Sequence, residues 1–128
     1  MAAAPKKILI ADDEADILEI VTYNLELHGY EVFTAKDGDQ ALKMAKEVNP
    51  DLIILDIMMP EMDGIELAQR CAEISPATKV MFITGFAAVT LKANREAPQA
   101  KVLSKPFHLR DLVLEVERIF GNQTQALV

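Results

Sequence analysis

The chain reads as a doubly wound α/β domain built on a five-stranded parallel sheet, and three observations carry that expectation. Along its 128 residues, short apolar runs alternate with longer segments of helical periodicity. The connections between them are short, which suits parallel strands joined by right-handed helical crossovers. The run Leu52-Ile-Ile-Leu55 is apolar without alternation and stops at Asp56, with Pro60 and Gly64 close behind. Such a run suits a strand covered on both faces, and its carboxyl end is the edge where open α/β sheets hold ligands.

The elements follow in order. Lys6 to Ala11 is a first strand that runs into Asp12-Asp13-Glu14. Ile17, Ile20, Val21, Asn24, Leu25 and His28, spaced three and four apart, predict a first helix stopped by Gly29. Tyr30 to Thr34 reads as the second strand, and Asp37-Gly38 as the turn after it. Ala41, Leu42, Ala45 and Val48 give a second helix face, ended by Asn49-Pro50. Leu52 to Asp56 is strand three. Ile65, Leu67, Ala68, Cys71, Ala72 and Ile74 suit a third helix closed by Ser75-Pro76, with Asp63-Gly64 as the turn and helix start before it.

Lys79 to Thr84 is a fourth strand that ends on a hydroxyl. Gly85 to Gln99 has little periodicity and admits a short or loose fourth helix around Ala87 to Leu91. Ala100 to Ser104 is the fifth strand, followed by Lys105-Pro106. Leu109, Leu112, Val113, Val116, Ile119 and Phe120 line the last helix, and Gly121 stops it. The expected organisation is one domain over residues 6–121, a disordered N-terminal tail over 1–5 and a C-terminal tail over 122–128.

Composition narrows the function. Half the residues are apolar, yet no apolar run nears the roughly 20 residues of a membrane span. The start, Met1-Ala-Ala-Ala-Pro-Lys-Lys, lacks the apolar region of a secretory signal. Cys71 stands alone inside a helical segment, which excludes internal disulfides and cysteine-rich metal sites and points to a reducing, cytoplasmic setting. A formal charge of -7 opposes direct binding to nucleic acid, which needs clustered Lys and Arg. His28 and His108 read as helix-end residues rather than ligands or phosphoacceptors.

In a parallel sheet all carboxyl ends lie on one side. Strand one then delivers Asp12 and Asp13, strand three Asp56, strand four Thr84 and strand five Lys105. Neighbouring carboxylates repel one another and gain from a cation between them. Oxygen-only donors favour a hard ion such as Mg²⁺, while a lysine and a hydroxyl suit the oxygens of a phosphoryl group.

These five positions, in this order and spacing, resemble those of two-component response-regulator receiver domains. Asp56-Ile-Met-Met-Pro60-Glu-Met-Asp-Gly64 is similar to that family's phosphoacceptor loop almost residue for residue, and the likeness extends from Lys6 to Phe120. It implies a CheY-like (flavodoxin-like) fold with strand order 2-1-3-4-5 and helices on both faces. It implies that Asp56 accepts a phosphoryl group from a histidine kinase or histidine phosphotransfer protein, with Thr84 as switch hydroxyl and Lys105 as phosphate partner. Mg²⁺ would be the cofactor, held by Asp13, Asp56 and the backbone carbonyl of Met58, with Asp12 acting largely through water. The protein would be a regulator, not a turnover enzyme. Its switched surface would comprise the fourth helix, strand five and the last helix, in a monomer or a phosphorylation-dependent dimer. Lys105-Pro106 resembles the family's cis bond.

Some positions depart from the family pattern. Val102 stands where an aromatic is usual, Glu96-Ala-Pro-Gln99 replaces the usual lead into strand five, and Met58 and Phe86 are bulky where access of water to the acyl phosphate is set, which implies slow autodephosphorylation. Met58, Met59 and Met62 form an apolar cluster that either shields the pocket or fills loop space. Lys6 to Leu67 is similar to the receivers of winged-helix (OmpR/PhoB-type) regulators. Phe82 to Val89 and Lys101 to Val113 are similar to CpdR-type single-domain receivers, which implies an adaptor for an ATP-dependent protease whose unphosphorylated form is active.

Three rival functions share the fold. A Mg²⁺-dependent phosphohydrolase using Asp56 would need a second acid two positions later, where Met58 stands. A flavin carrier would need a phosphate cradle after strand one, where Asp12-Asp13-Glu14 is acidic. A receiver acting without phosphorylation, as a plain interaction module, has no need of the full set of five residues.

Overall fold

Strand β1 (Lys7–Ala11) lies between β2 (Glu31–Ala35) and β3 (Leu52–Asp56), and β4 (Lys79–Thr84) and β5 (Lys101–Ser104) continue from β3, giving the parallel order β2-β1-β3-β4-β5. The computed structural model describes residues 5–57, 64–85, 95, 101–105 and 107–121. Within these, helices α1 (Ala15–Leu27), α2 (Gly38–Val48), α3 (Gly64–Ile74) and α4 (Leu109–Ile119) complete the fold. The expected fourth helix of the 85–99 region lies outside the described residues apart from Gly85 and Arg95, so the last helix is α4 here. Both tails, except Pro5, also lie outside them, as do Met58, Met59, Met62, Phe86 and Pro106.

Two apolar layers explain why the central strands show no alternation. Side chains of a strand point to opposite faces in turn. Leu9, Ile53, Leu55 and Phe82 meet Ala41, Ala45, Leu67 and Cys71 on the side of α2 and α3. Ile8, Ile10, Ile54, Met81 and Ile83 meet Leu18, Val21, Leu25, Leu112 and Val116 on the side of α1 and α4. With a helical layer on each face, both faces of β1, β3 and β4 must be apolar. This is the doubly wound sheet that the alternation of segments predicts. Among the described residues no helix is long and apolar enough to cross a membrane.

The structure corrects the predicted face of α1. Its buried residues are Leu18, Val21 and Leu25, whereas Ile20 is 49% exposed and Tyr23 and Leu27 are exposed as well. In α3, Ala72 and Ile74 also face solvent rather than the core. The first two strands each begin one residue later than predicted. Tyr30 N–H is taken by Leu25 O at 3.2 Å in the helix-ending turn, and the ladder with β1 opens with Glu31 N–H donating to Lys6 O at 3.0 Å.

The edge opposite the carboxyl ends is closed by polar contacts. Asn49 terminates α2 in the left-handed region (φ 54), and its side-chain oxygen accepts from Ser75 Oγ. Thr78 Oγ1 lies 2.6 Å from the carbonyl of Pro50 and 2.6 Å from Ser75 Oγ. Thr78→Val, which keeps the shape and orphans a buried carbonyl, is expected to cost about 1–2 kcal/mol in urea unfolding. An unchanged midpoint would show the contact to be dispensable.

Candidate functional site

Sheet register assembles the candidate residues. Ala11 pairs with Leu55, Asp56 with Ile83 and Thr84 with Ser104, so four strands end within a residue or two of each other. Three backbone bonds carry the order past the strands: Asp12 N–H donates to Ala35 O at 3.1 Å, Ile57 N–H to Ile83 O at 3.0 Å, and Lys105 N–H to Thr84 O at 2.6 Å. Asp12, Asp56 and Thr84 are buried, while Asp13 is exposed.

The carboxylates of Asp12, Asp13 and Asp56 each place an oxygen within 4.8 Å of the others. The Lys105 ammonium faces them, 3.2 Å from Asp56 Oδ2, 3.2 Å from Asp12 Oδ2 and 2.6 Å from Glu14 Oε1. Asp12 Oδ1 accepts the Glu14 N–H at 2.9 Å. Its other oxygen is buried without a well-formed hydrogen bond, 3.2 Å from the ammonium.

Burial pushes the Asp12 carboxyl up to about 6; the Glu14 N–H and the lysine oppose this shift, and the Asp56 charge adds to it. For Lys105 burial acts downward, but the bond to Glu14 and the charges of Asp12 and Asp56 outweigh it, and the ammonium is held above its ordinary value. A buried, under-bonded carboxylate oxygen within a cluster of oxygen donors fits a hard divalent cation such as Mg²⁺.

The structure therefore brings Asp12, Asp13, Asp56, Thr84 and Lys105 to one sheet edge, while the Met58 carbonyl lies outside the described residues. The sequence reading missed Glu14 as a partner of Lys105; the signal was the third acid of the run Asp12-Asp13-Glu14. Val102 is half-buried and packs against the α2–α3 side of the core. His28 follows α1, with Nδ1 2.9 Å from Asn24 O, and His108 caps the start of α4, so both stand at helix ends. Cys71 is buried, and burial pushes its thiol up to about 11, which suits packing rather than reactivity.

Comparison with known proteins agrees with this geometry. Residues 8–117 match the response regulator receiver domain. The chain is 52% identical over 115 residues to the response regulator receiver protein CpdR of Brucella abortus (strain 2308), covering 89% of this chain and 96% of CpdR. It is 38% identical over 115 residues to the alkaline phosphatase synthesis transcriptional regulatory protein PhoP of Bacillus subtilis (strain 168). That match covers 89% of this chain and 48% of PhoP, so this chain spans about half of that relative's length. The crystal structure of the response regulator protein TrrA from Thermotoga maritima, in complex with Mg²⁺ and BeF, superposes with a TM-score of 0.78 at 32% identity. It covers 89% of this chain and 98% of TrrA. With the fold, the acidic edge and the facing lysine in place, the chain belongs to the response regulator receiver domain family.

Proposed function

We propose that this receiver is a phosphorylation-controlled binding module in which Asp56 is the phosphoacceptor. The observation that carries the reading is the Lys105 ammonium, 3.2 Å from Asp56 Oδ2 beside three carboxylates that lie within 4.8 Å of one another. An Asp56 carboxylate oxygen attacks the phosphorus of a phosphohistidine on a kinase or phosphotransfer protein. The Oδ–P bond forms as the P–N bond breaks, and the electron pair leaves with the imidazole nitrogen, which solvent then protonates. Lys105 counters charge on the phosphoryl oxygens, and Thr84, at the end of β4, donates its hydroxyl to one of them.

Asp13, Asp56 and the carbonyl of Met58 would hold Mg²⁺, with Asp12 acting through water. The ion supplies neutralisation of the charge that builds up in transfer. The TrrA complex supports this cofactor for a relative. The movement of Thr84 would reach the surface formed by the 85–99 segment, β5 and α4, where the output partner docks. The extensive identity with CpdR favours a protease adaptor as that output, active when unphosphorylated.

Intact-mass measurement after incubation with acetyl phosphate and Mg²⁺ tests the central claim. The expected result is one added phosphate on the wild type, absent without Mg²⁺ and absent in Asp56→Asn. An Asp56→Asn variant that still gains the phosphate would place the acceptor elsewhere. No addition to the wild type, while a control receiver is modified, would leave an interaction module that works without phosphorylation.

A further inference from the structure

Glu14 holds Lys105 more closely than either buried carboxylate does, at 2.6 Å against 3.2 Å for Asp12 and Asp56. It occupies the N-cap position of α1, yet its side chain makes no hydrogen bond to the helix it opens. An acid at this end of a helix is favoured beside the free N–H groups of the first turn. Glu14 instead reaches to a residue 91 positions away, just beyond β5.

The ammonium donates to Glu14 Oε1 and Asp56 Oδ2, while Asp12 Oδ2 stands 3.2 Å away without a well-formed hydrogen bond. Phosphorylation converts the Asp56 carboxylate into an acyl phosphate, so the phosphoryl oxygens take over its place as acceptor and draw the ammonium away from its remaining partners. The Asp12 side chain is 0% exposed, and stranding it without the cation leaves a buried charge uncompensated. The Glu14 side chain is 57% exposed, and water takes it up when it is released. Glu14 is the partner that gives way.

We propose that Glu14 is a positioning residue: it parks Lys105 in the unphosphorylated protein and competes with the incoming phosphoryl group for it. The proposal rests on Asp56 being the phosphoacceptor. Two consequences follow. Phosphorylation is slower than the remaining groups would allow, because the Glu14 pair must break. Phosphorylation also frees a carboxylate at the first turn of α1, so that this helix start registers the state of Asp56.

The test compares wild type, Glu14→Gln and Asp16→Asn with acetyl phosphate and Mg²⁺, following mass against time. In this reaction the Asp56 Oδ–P bond forms, the acetyl O–P bond breaks and acetate leaves. Glu14→Gln is expected to accept phosphate about two- to fivefold faster, the range for breaking one half-exposed ion pair. Asp16 is an exposed acid in the first turn of α1, and its replacement controls for loss of negative charge at the same helix end. Asp16→Asn is expected to match wild type. A second readout, trace labelling of Lys105 with acetic anhydride in the metal-free protein, is expected to rise in Glu14→Gln only. A Glu14→Gln rate equal to or below wild type, equal acceleration by Asp16→Asn, or unchanged Lys105 labelling would each overturn the proposal. A wild type that takes up no phosphate would instead overturn the phosphoacceptor reading, and this proposal with it.

Discussion

Gly64→Ala is expected to destabilise the protein by about 3 kcal/mol and to lower the rate at which it accepts phosphate. The reason is space, not a left-handed backbone. A Cβ built on Gly64 would stand 2.6 Å from the Cα of Ile57 and 3.2 Å from the carbonyl oxygens of Asp56 and Ile57. No flexible side-chain end can swing aside there, since all three neighbours are backbone. Gly64 N–H also donates to Ile57 O at 3.3 Å, so α3 begins in contact with the chain just past β3. Relief requires either α3 or the end of β3 to move, and β3 carries Asp56. Against a typical stability of about 5–15 kcal/mol, such a loss is large. Urea unfolding and the acetyl phosphate assay on one preparation check both halves, and a wild-type midpoint would refute the close-approach argument.

The legible parts of this chain were those set by local pattern. Leu52 to Leu55 announced a strand covered on both faces because no polar residue interrupts it, and the two apolar layers of the core are the reason. The five site residues were legible because parallel strands deliver their carboxyl ends to one side, so the order of the elements was enough to bring them together. The buried face of α1 was only partly legible: Val21 and Leu25 are buried and Ile17 packs against the core as the spacing predicts, but the same spacing admitted Ile20, which faces solvent, and passed over Leu18, which the sheet covers. Gly64 could be read as a turn residue, but the backbone approach that demands it joins two separate elements. The same holds for Glu14, whose partner is distant in sequence and fixed by tertiary structure alone.

Asp12→Asn exposes the conflict between stability and chemistry at this edge. Without Mg²⁺ at pH 8, the variant is expected to be more stable than wild type by about 1–2 kcal/mol. Burial raises the Asp12 carboxyl from 3.8 to about 6, so the folded state binds this proton more tightly than the unfolded chain does. The sign follows from that. Below the unfolded value both states are protonated and the group costs nothing; as pH rises through about 6 the folded protein must hold a buried carboxylate, and stability is lost. A shift of this size corresponds to roughly 3 kcal/mol at most. Asparagine retains an oxygen for the Glu14 N–H but gives up the charge facing Lys105, which returns part of the gain. The advantage is therefore expected to shrink as pH falls from 8 towards 4. It is also expected to shrink at pH 8 as Mg²⁺ is added, because an ion that binds the folded wild type stabilises it by mass action. Phosphate acceptance should fall about 10- to 100-fold, the usual penalty for losing an outer partner of a metal site. Urea midpoints at pH 8, 6 and 4, with and without Mg²⁺, decide the matter. Equal stability of the two proteins at pH 8 in the absence of metal would mean that Asp12 is not a strained charge, and that its burial serves the fold as well as the chemistry.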